Sequence, residues 1–421
     1  MSAPPTFREA LRFWLKLGFI SFGGPAGQIA IMQTELVDRK KWIDQEHFLH
    51  ALNYCMLLPG PEAQQLAIYC GWLLHRARGG LAAGVLFVLP SAVILWVLSF
   101  IYVSCGTLPW IAAVFYGLKP AVIAIVAAAM LRIGKKSLKT PMHWAVSAVA
   151  FGAIFFLHAP FPVIVFGAGV LGFFGGSFFG WSKPALTPME VSGNTQPPGS
   201  TLGYSLRVVA VGGLLWFAPV VTVGLWQGWD SALAREGFFF SKAAMVTIGG
   251  AYAVLPYVAQ QAVEKFSWLS APQMLDGLGL AETTPGPLIM VLQFVGFLGG
   301  WDHPGALPPL LAATLGAALT TWVTFVPCFI WIFLGAPHIE RMRRHPRLNT
   351  ALTAVTAAVV GVILNLAVWF AGHVIFPKHM PADWFALAVT MVAFLAMQRL
   401  KVGIIPVVFA GGVLGLIWQL V

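Results

Sequence analysis

The chain has 421 residues, 58% of them hydrophobic and only 10% charged, with a mean hydropathy of +0.81. A soluble chain carries about 25% charged residues, so this is membrane composition. The net charge of +10 would suit a nucleic-acid binder, but the basic residues lie in short loops between apolar segments, where they act as topology signals.

In chain order, about thirteen apolar segments follow from length and hydropathy. The first, 7–34, is broken at Gly23-Gly24-Pro25, and the second, 47–75, at Pro59-Gly60-Pro61. Four uninterrupted segments follow at 81–104, 109–131, 144–157 and 162–179, with Pro90 and Pro120 as candidate kinks. Residues 182–201, rich in Pro, Ser and Gly, read as a linker. One further span, 208–226, leads to a restart. Segment 238–260 is broken at Gly249-Gly250 and 274–299 at Pro285-Gly286-Pro287, followed by 310–334, 348–375, 384–397 and 404–420. This divides the chain into a first repeat (1–181), a linker (182–203), a connecting helix (204–230) and a second repeat (231–421).

The repeat has a register. Adding 226 to Phe13, Lys16, Ser21, Gly23, Gly24, Trp42, Pro59, Gly60 and Pro61 gives Phe239, Lys242, Thr247, Gly249, Gly250, Trp268, Pro285, Gly286 and Pro287. Internal repeats of this kind mark many secondary transporters. If both broken segments of each half are re-entrant hairpins, the positive-inside rule puts Arg8, Arg12, Arg39, Lys40, Lys41, Arg76, Arg78, Arg132, Lys135, Lys136 and Lys139 on the cytoplasmic side. If the broken segments span fully, Arg39, Lys40 and Lys41 fall outside, a poorer distribution. Both versions give an inverted repeat; one spanning and one re-entrant segment per half would give a parallel one. The fold class expected is an all-α polytopic membrane protein with two homologous, inverted halves. Each half has two broken hairpins and about four transmembrane helices. The N-terminus is cytoplasmic, and no cleavable signal is evident in its polar start.

Irregular backbone at membrane depth is tolerated only inside protein or along a wet cavity. The helix after each break offers free N–H groups and a positive dipole end, which suit an anion. The candidate substrate-binding set is therefore Lys16, Ser21, Gly23, Gly24, Pro25, Pro59, Gly60 and Pro61, with Lys242, Thr247, Gly249, Gly250, Thr283, Thr284, Pro285, Gly286 and Pro287. Snorkelling to the interface is the other reading of the lysines, and bonding back to the helix that of the hydroxyls. Glu62, Glu282 and Asp276 are candidates for carrying a coupling proton, with a helix N-terminal role as the alternative for Glu62. Lys119 is either a charge in the pathway or a partner for a carboxylate. Trp42 and Trp268 read as interfacial anchors.

His47 and His50 lack a third metal ligand, and no phosphate-binding loop, nucleophile elbow or HExxH motif occurs. Cys55, Cys70, Cys105 and Cys328 form no CxxC pair and read as reduced thiols in apolar segments. No cofactor and no catalytic activity are expected.

The motifs Phe22-Gly23-Gly24-Pro25-Ala26-Gly27-Gln28, Leu57 to Leu66 around Pro59-Gly60-Pro61-Glu62, Gly250 to Tyr257, and Gly277 to Pro287 resemble the chromate ion transporter family in its long, two-half form. The resemblance covers nearly the whole chain, least in the linker. It implies a multi-pass transporter of the bacterial inner membrane that exports chromate and confers resistance. Sulfate, another tetrahedral dianion, would be a competitor or counter-substrate, and a homodimer is the assembly considered. Two other readings stay open from the residues alone: a flippase for a phosphate-bearing lipid, and a membrane-embedded oxyanion reductase. The latter is disfavoured by the missing redox motifs.

Overall fold

The computed structural model describes residues 5–56, 58–106, 108–175, 202–335, 346–377 and 381–420, and among these every regular element is helical. The linker expected at 182–201 lies outside them. The first half runs through α1 (Phe7–Ile20), α2 (Gly24–Gln33), α3 (Gln45–Cys55), α4 (Glu62–Cys105), α5 (Pro109–Ser137), α6 (Pro141–Leu157) and α7 (Phe161–Gly175). After α8 (Leu202–Gln227), the second runs through α9 (Ala232–Val246), α10 (Ala251–Gln260), α11 (Ala271–Thr283), α12 (Val291–Asp302), α13 (Pro309–Gly335), α14 (Pro346–Val374), α15 (Trp384–Arg399) and α16 (Ile404–Leu420). Among the described residues five helices are long and apolar enough to cross a membrane: α4, α5, α8, α13 and Thr350–Val374 within α14. Leu157, Phe166, Phe174, Leu225 and Phe409 stand exposed on the outer surface, as side chains solvated by lipid would. This is a polytopic membrane protein.

The register of 226 recurs in the local geometry. Alpha-helix gives way to a π-helical turn at Thr34–Arg39 and again at Gln261–Lys265. Lys41 and Ser267 both take positive φ (52° and 53°), as do Gly23 and Gly249 (86° and 89°) and Gly60 and Gly286 (122° and 109°). Phe13 meets Trp42 edge-on at 5.5 Å, and Phe239 meets Trp268 edge-on at 5.7 Å. Trp268, however, is fully buried and stacks on Phe266 and Phe240. It is a core residue rather than an interfacial anchor, because Phe266 stands where the first half has Lys40, whose ammonium lies over Trp42.

Two chain reversals define how each half is built. Within α4 the backbone leaves helical geometry at His75 and Arg76. Gly71 then packs on Gly79 and Ala83, and Ile68 on Gly80 and Gly84, so residues 62–74 lie antiparallel along the start of the helix that follows. At 1.5 Å per residue, 62–74 reach about 20 Å and 77–105 about 43 Å, against a hydrocarbon core of about 30 Å. In the second half α12 (12 residues) turns back on α13 (27 residues), with Gly300 against Ala312 and Gly296 against Gly316 and Thr320. Short helix, reversal, long helix is thus repeated.

The halves interlock. The long helices 77–105 and α13, equivalent in the repeat, run antiparallel: Gly80 meets Phe333, Gly84 meets Phe329, and Trp96 donates to Thr314 at 3.2 Å. The next equivalent pair, α5 and α14, pack on each other, and each is clasped by the other half's last two helices: α5 by α15 and α16, α14 by α6 and α7. Glycines permit the closest crossings, Gly117 against Gly411 and Gly415, as small residues do where helices meet in membranes. The helices continue through Pro90 and Pro120, whose freed backbone groups neighbouring helices can satisfy.

Candidate functional site

Four helices in each half decide the site. Those leading toward the breaks are all capped: α1 by Thr6, α3 by Asp44, α9 by Ser231 and α11 by Ser270, with full capping boxes at Thr6 and Ser270. Those leaving the breaks, α2, α4, α10 and the 3-10 turn Leu288–Met290 that opens α12, have no side-chain cap. A helix N-terminus without a cap has orphan N–H donors. Their absence at four equivalent positions leaves the positive dipole ends open to a ligand.

The breaks are tied to one another across the halves. The Gly60 amide donates to the Thr247 carbonyl at 2.7 Å, and the Gly286 amide donates to the Ser21 carbonyl at 2.8 Å. Gly286 is the repeat equivalent of Gly60, and Thr247 that of Ser21, so the second bond is the first with the halves exchanged. Gln28 reinforces it by donating to the Gly286 carbonyl (2.5 Å) and the Ser21 carbonyl (3.3 Å), while Gln65 donates to the Pro59 carbonyl at 2.7 Å. Gln28 Oε1, both side-chain polar atoms of Gln64, Gln65 Oε1 and Ser91 Oγ are among the atoms buried without a protein partner. Buried polar groups ordinarily have partners.

The candidate side chains divide. The hydroxyls of Ser21 and Thr247 donate to Leu17 and Ala243 carbonyls of their own helices, both at 2.6 Å. Thr283 and Thr284 likewise donate back to Gly279 and Ala281, so an anion would meet these groups only after they turn. Lys16 and Lys242 are exposed on the outer faces of α1 and α9. Glu62, at the start of α4, stands beside Gly250: a Cβ on that glycine would lie 3.5 Å from Oε1. Glu282 is buried and accepts a hydrogen bond from the Tyr252 hydroxyl. Asp276 is buried and accepts from the Tyr102 hydroxyl at 2.9 Å, with Lys119 Nζ at 3.7 Å; the ion-pair reading of Lys119 therefore holds. Among the described residues no cluster of His, Cys, Asp and Glu could hold a metal.

Two cavities lie between the helices. One of about 450 Å³ reaches Gly23 between the halves, lined by Arg132 and Lys135 of α5 and by Gln398 and Lys401 from the end of α15. Another of about 240 Å³ is lined by Tyr102, Gly106, Gln273, Trp301 and Asp302. Arg132 and Gly106 belong to opposite ends of the α4–α5 hairpin, so the cavities open at opposite ends of the helices. Helix α11 starts at the smaller cavity, where Gln273 is part of the lining, and ends at the break that follows Glu282.

A family model, Chromate transporter, matches residues 8–173 and 236–416, one half each. The chain belongs to the chromate transporter family. It is 29% identical over 416 residues to the chromate transport protein of Cupriavidus metallidurans, covering 97% of this chain and 92% of that protein. It is also 29% identical to the chromate transport protein of Pseudomonas aeruginosa, over 98% of this chain and 92% of that one. An uncharacterized transporter of Methanocaldococcus jannaschii is 26% identical over 98% of this chain and 94% of its own length. No solved structure matches. As a chromate transporter family member the chain has its breaks inside both matched regions and its α8 between them.

Sequence reasoning passed over Arg132 and Lys401, because charges near segment ends serve topology first. It passed over Tyr252 as a hydrogen-bond donor, although the motif Gly250 to Tyr257 contains it. It also passed over Glu236, fully buried on α9 with both oxygens unpartnered beside Gly299 and Gly316.

Proposed function

We propose that the protein is a secondary transporter that exports chromate across the inner membrane, holding the dianion where the breaks of the two halves meet. The observation that carries this reading is the reciprocal pair of backbone bonds, Gly60 to Thr247 and Gly286 to Ser21. Each bond pairs two uncapped helix N-termini from opposite halves, α4 with α10 and the turn opening α12 with α2, which supports a centre shared by the halves. A tetrahedral dianion needs donors from several directions, and convergent N-termini supply them without a fixed counter-charge.

Equivalent long helices that run antiparallel support an inverted repeat, since a two-fold axis along the membrane normal would leave them parallel. Residues 62–74 and α12, each shorter than the hydrocarbon core and folded back on a longer neighbour, support re-entrant hairpins entering from opposite sides. The cavity rich in Arg and Lys then faces the cytoplasm, with the N-terminus. Transport follows from rocking the halves about the fixed centre so that the two cavities open in turn. An inside-negative potential drives a dianion outward by about 4.6 kcal/mol per 100 mV, twice the value for one charge. Sulfate has the same shape and charge and competes.

Everted membrane vesicles test this. Radiolabelled chromate is expected to accumulate in vesicles containing the protein, to leak back when the potential is collapsed, and to be displaced by excess sulfate. Accumulation no greater than in vesicles lacking the protein would overturn the reading.

A further inference from the structure

The cavity at Gly23 has a chemistry of its own. Its charged lining residues are Arg132, Lys135 and Lys401, with Gln398 beside them, and no carboxylate lines it. The cations come from both halves, so the space lies across the boundary that must move. Gly23, the first residue of the break, is exposed and also lines the cavity.

Lys401 is held there against backbone preference. Its φ is +55°, in the left-handed region that disfavours residues with a Cβ. The turn around it is a helix C-terminal one: Leu400 and Val402 amides both return to the Ala396 carbonyl, at 3.0 and 3.3 Å. The left-handed residue of such a turn is usually glycine, and glycine occurs two positions later, at Gly403. Lys41, Arg76, His158 and Ser267 share such a φ; what sets Lys401 apart is that it also lines the cavity opposite Arg132 and Lys135.

We propose that Arg132, Lys135 and Lys401 form a distinct docking site for a tetrahedral dianion, which receives the substrate from the cytoplasm before it reaches the break at Gly23. The proposal rests on the transport reading for the identity of the ligand, but not for the existence of the site. The same cations would also suit a lipid phosphate, and the test separates the two sources.

The test is equilibrium binding of radiolabelled chromate and sulfate to the purified full chain in phosphatidylcholine nanodiscs, with Lys401→Gly, Lys401→Arg, Arg132→Gln and, as a remote control, Arg8→Gln. Loss of one charge-assisted hydrogen bond corresponds to about a tenfold loss of affinity. Lys401→Gly is expected to weaken binding about tenfold while leaving the melting temperature unchanged or raised, because it relaxes the backbone. Arg132→Gln is expected to weaken binding similarly, and Lys401→Arg and Arg8→Gln to leave it unchanged. Equal affinity in wild type, Lys401→Gly and Arg132→Gln, or no dianion binding at all, overturns the site. So does an effect seen only as altered dependence on added phosphatidylglycerol, which would give the cations to lipid. Flux in everted vesicles judges the transport reading separately: binding without flux removes that reading and leaves the site standing.

Discussion

The Lys119 ammonium lies 3.7 Å from the Asp276 carboxylate, joining α5 of the first half to α11 of the second. Lys119 is largely and Asp276 almost wholly buried, and Tyr102 gives Asp276 a second donor at 2.9 Å. Removing one partner of a buried pair strands the other charge and typically costs 3–5 kcal/mol, whereas removing both is often neutral. Lys119→Met or Asp276→Leu alone should therefore lower the melting temperature sharply. The double substitution should recover most of the loss, and a thermal-shift series on the four proteins measures the coupling. Additive losses would show that the pair is not an energetic unit.

Gly60 and Gly286 carry the reciprocal bonds at φ of 122° and 109°. These are conformations that cost a residue with a Cβ on the order of 1–3 kcal/mol. A Cβ on Gly60 would also meet Cys328 Sγ at 2.9 Å and Gln65 Nε2 at 2.8 Å, and one on Gly286 would run into Ser91. Gly286→Ala is expected to reduce chromate uptake into everted vesicles by more than about tenfold at equal protein level. Adding Ser91→Gly removes the clash and not the backbone strain, so it should restore uptake only in part. Full restoration would mean that the clash alone mattered.

The legible part of this molecule was its punctuation. Glycines and prolines interrupting apolar runs located the four breaks, and the offset of 226 paired them. The uninterrupted spans were legible from length and hydropathy. What one sequence does not display is which side of a helix faces inward. Lys16 and Lys242, matched and mid-segment, turn outward. Arg132 and Lys401, which look like loop charges, line a cavity. Trp268 shares its letter with Trp42 but not its surroundings, because its neighbour is Phe266 where the first half has Lys40.

Glu282 offers a way to ask whether protons are coupled to the anion. It is buried at the end of α11, next to the break at Pro285, and Tyr252 donates to it. Glutamine at 282 keeps an acceptor for Tyr252 but cannot bind or release a proton. If Glu282 carries a coupling proton, Glu282→Gln proteoliposomes will no longer respond to an imposed pH gradient, while flux driven by an imposed potential persists. An undiminished response to the pH gradient would remove Glu282 from coupling and direct attention to Asp276 and Glu62.

Labelling tests the proposal that the halves are inverted. Ala77 and His303 are repeat equivalents, 226 positions apart, and both are exposed where a short helix gives way to a long one. An inverted repeat sends these two reversals to opposite faces of the membrane, and a parallel repeat sends them to the same face. Three of the native cysteines are buried and Cys105 is half-buried, so Cys105→Ser leaves a quiet background. In intact cells a membrane-impermeant maleimide should label His303→Cys and spare Ala77→Cys, and in everted vesicles the pattern should reverse. Labelling of both from one face would refute the inverted arrangement. It would also leave the antiparallel packing of Gly80 on Phe333 and Trp96 on Thr314 without a topological cause.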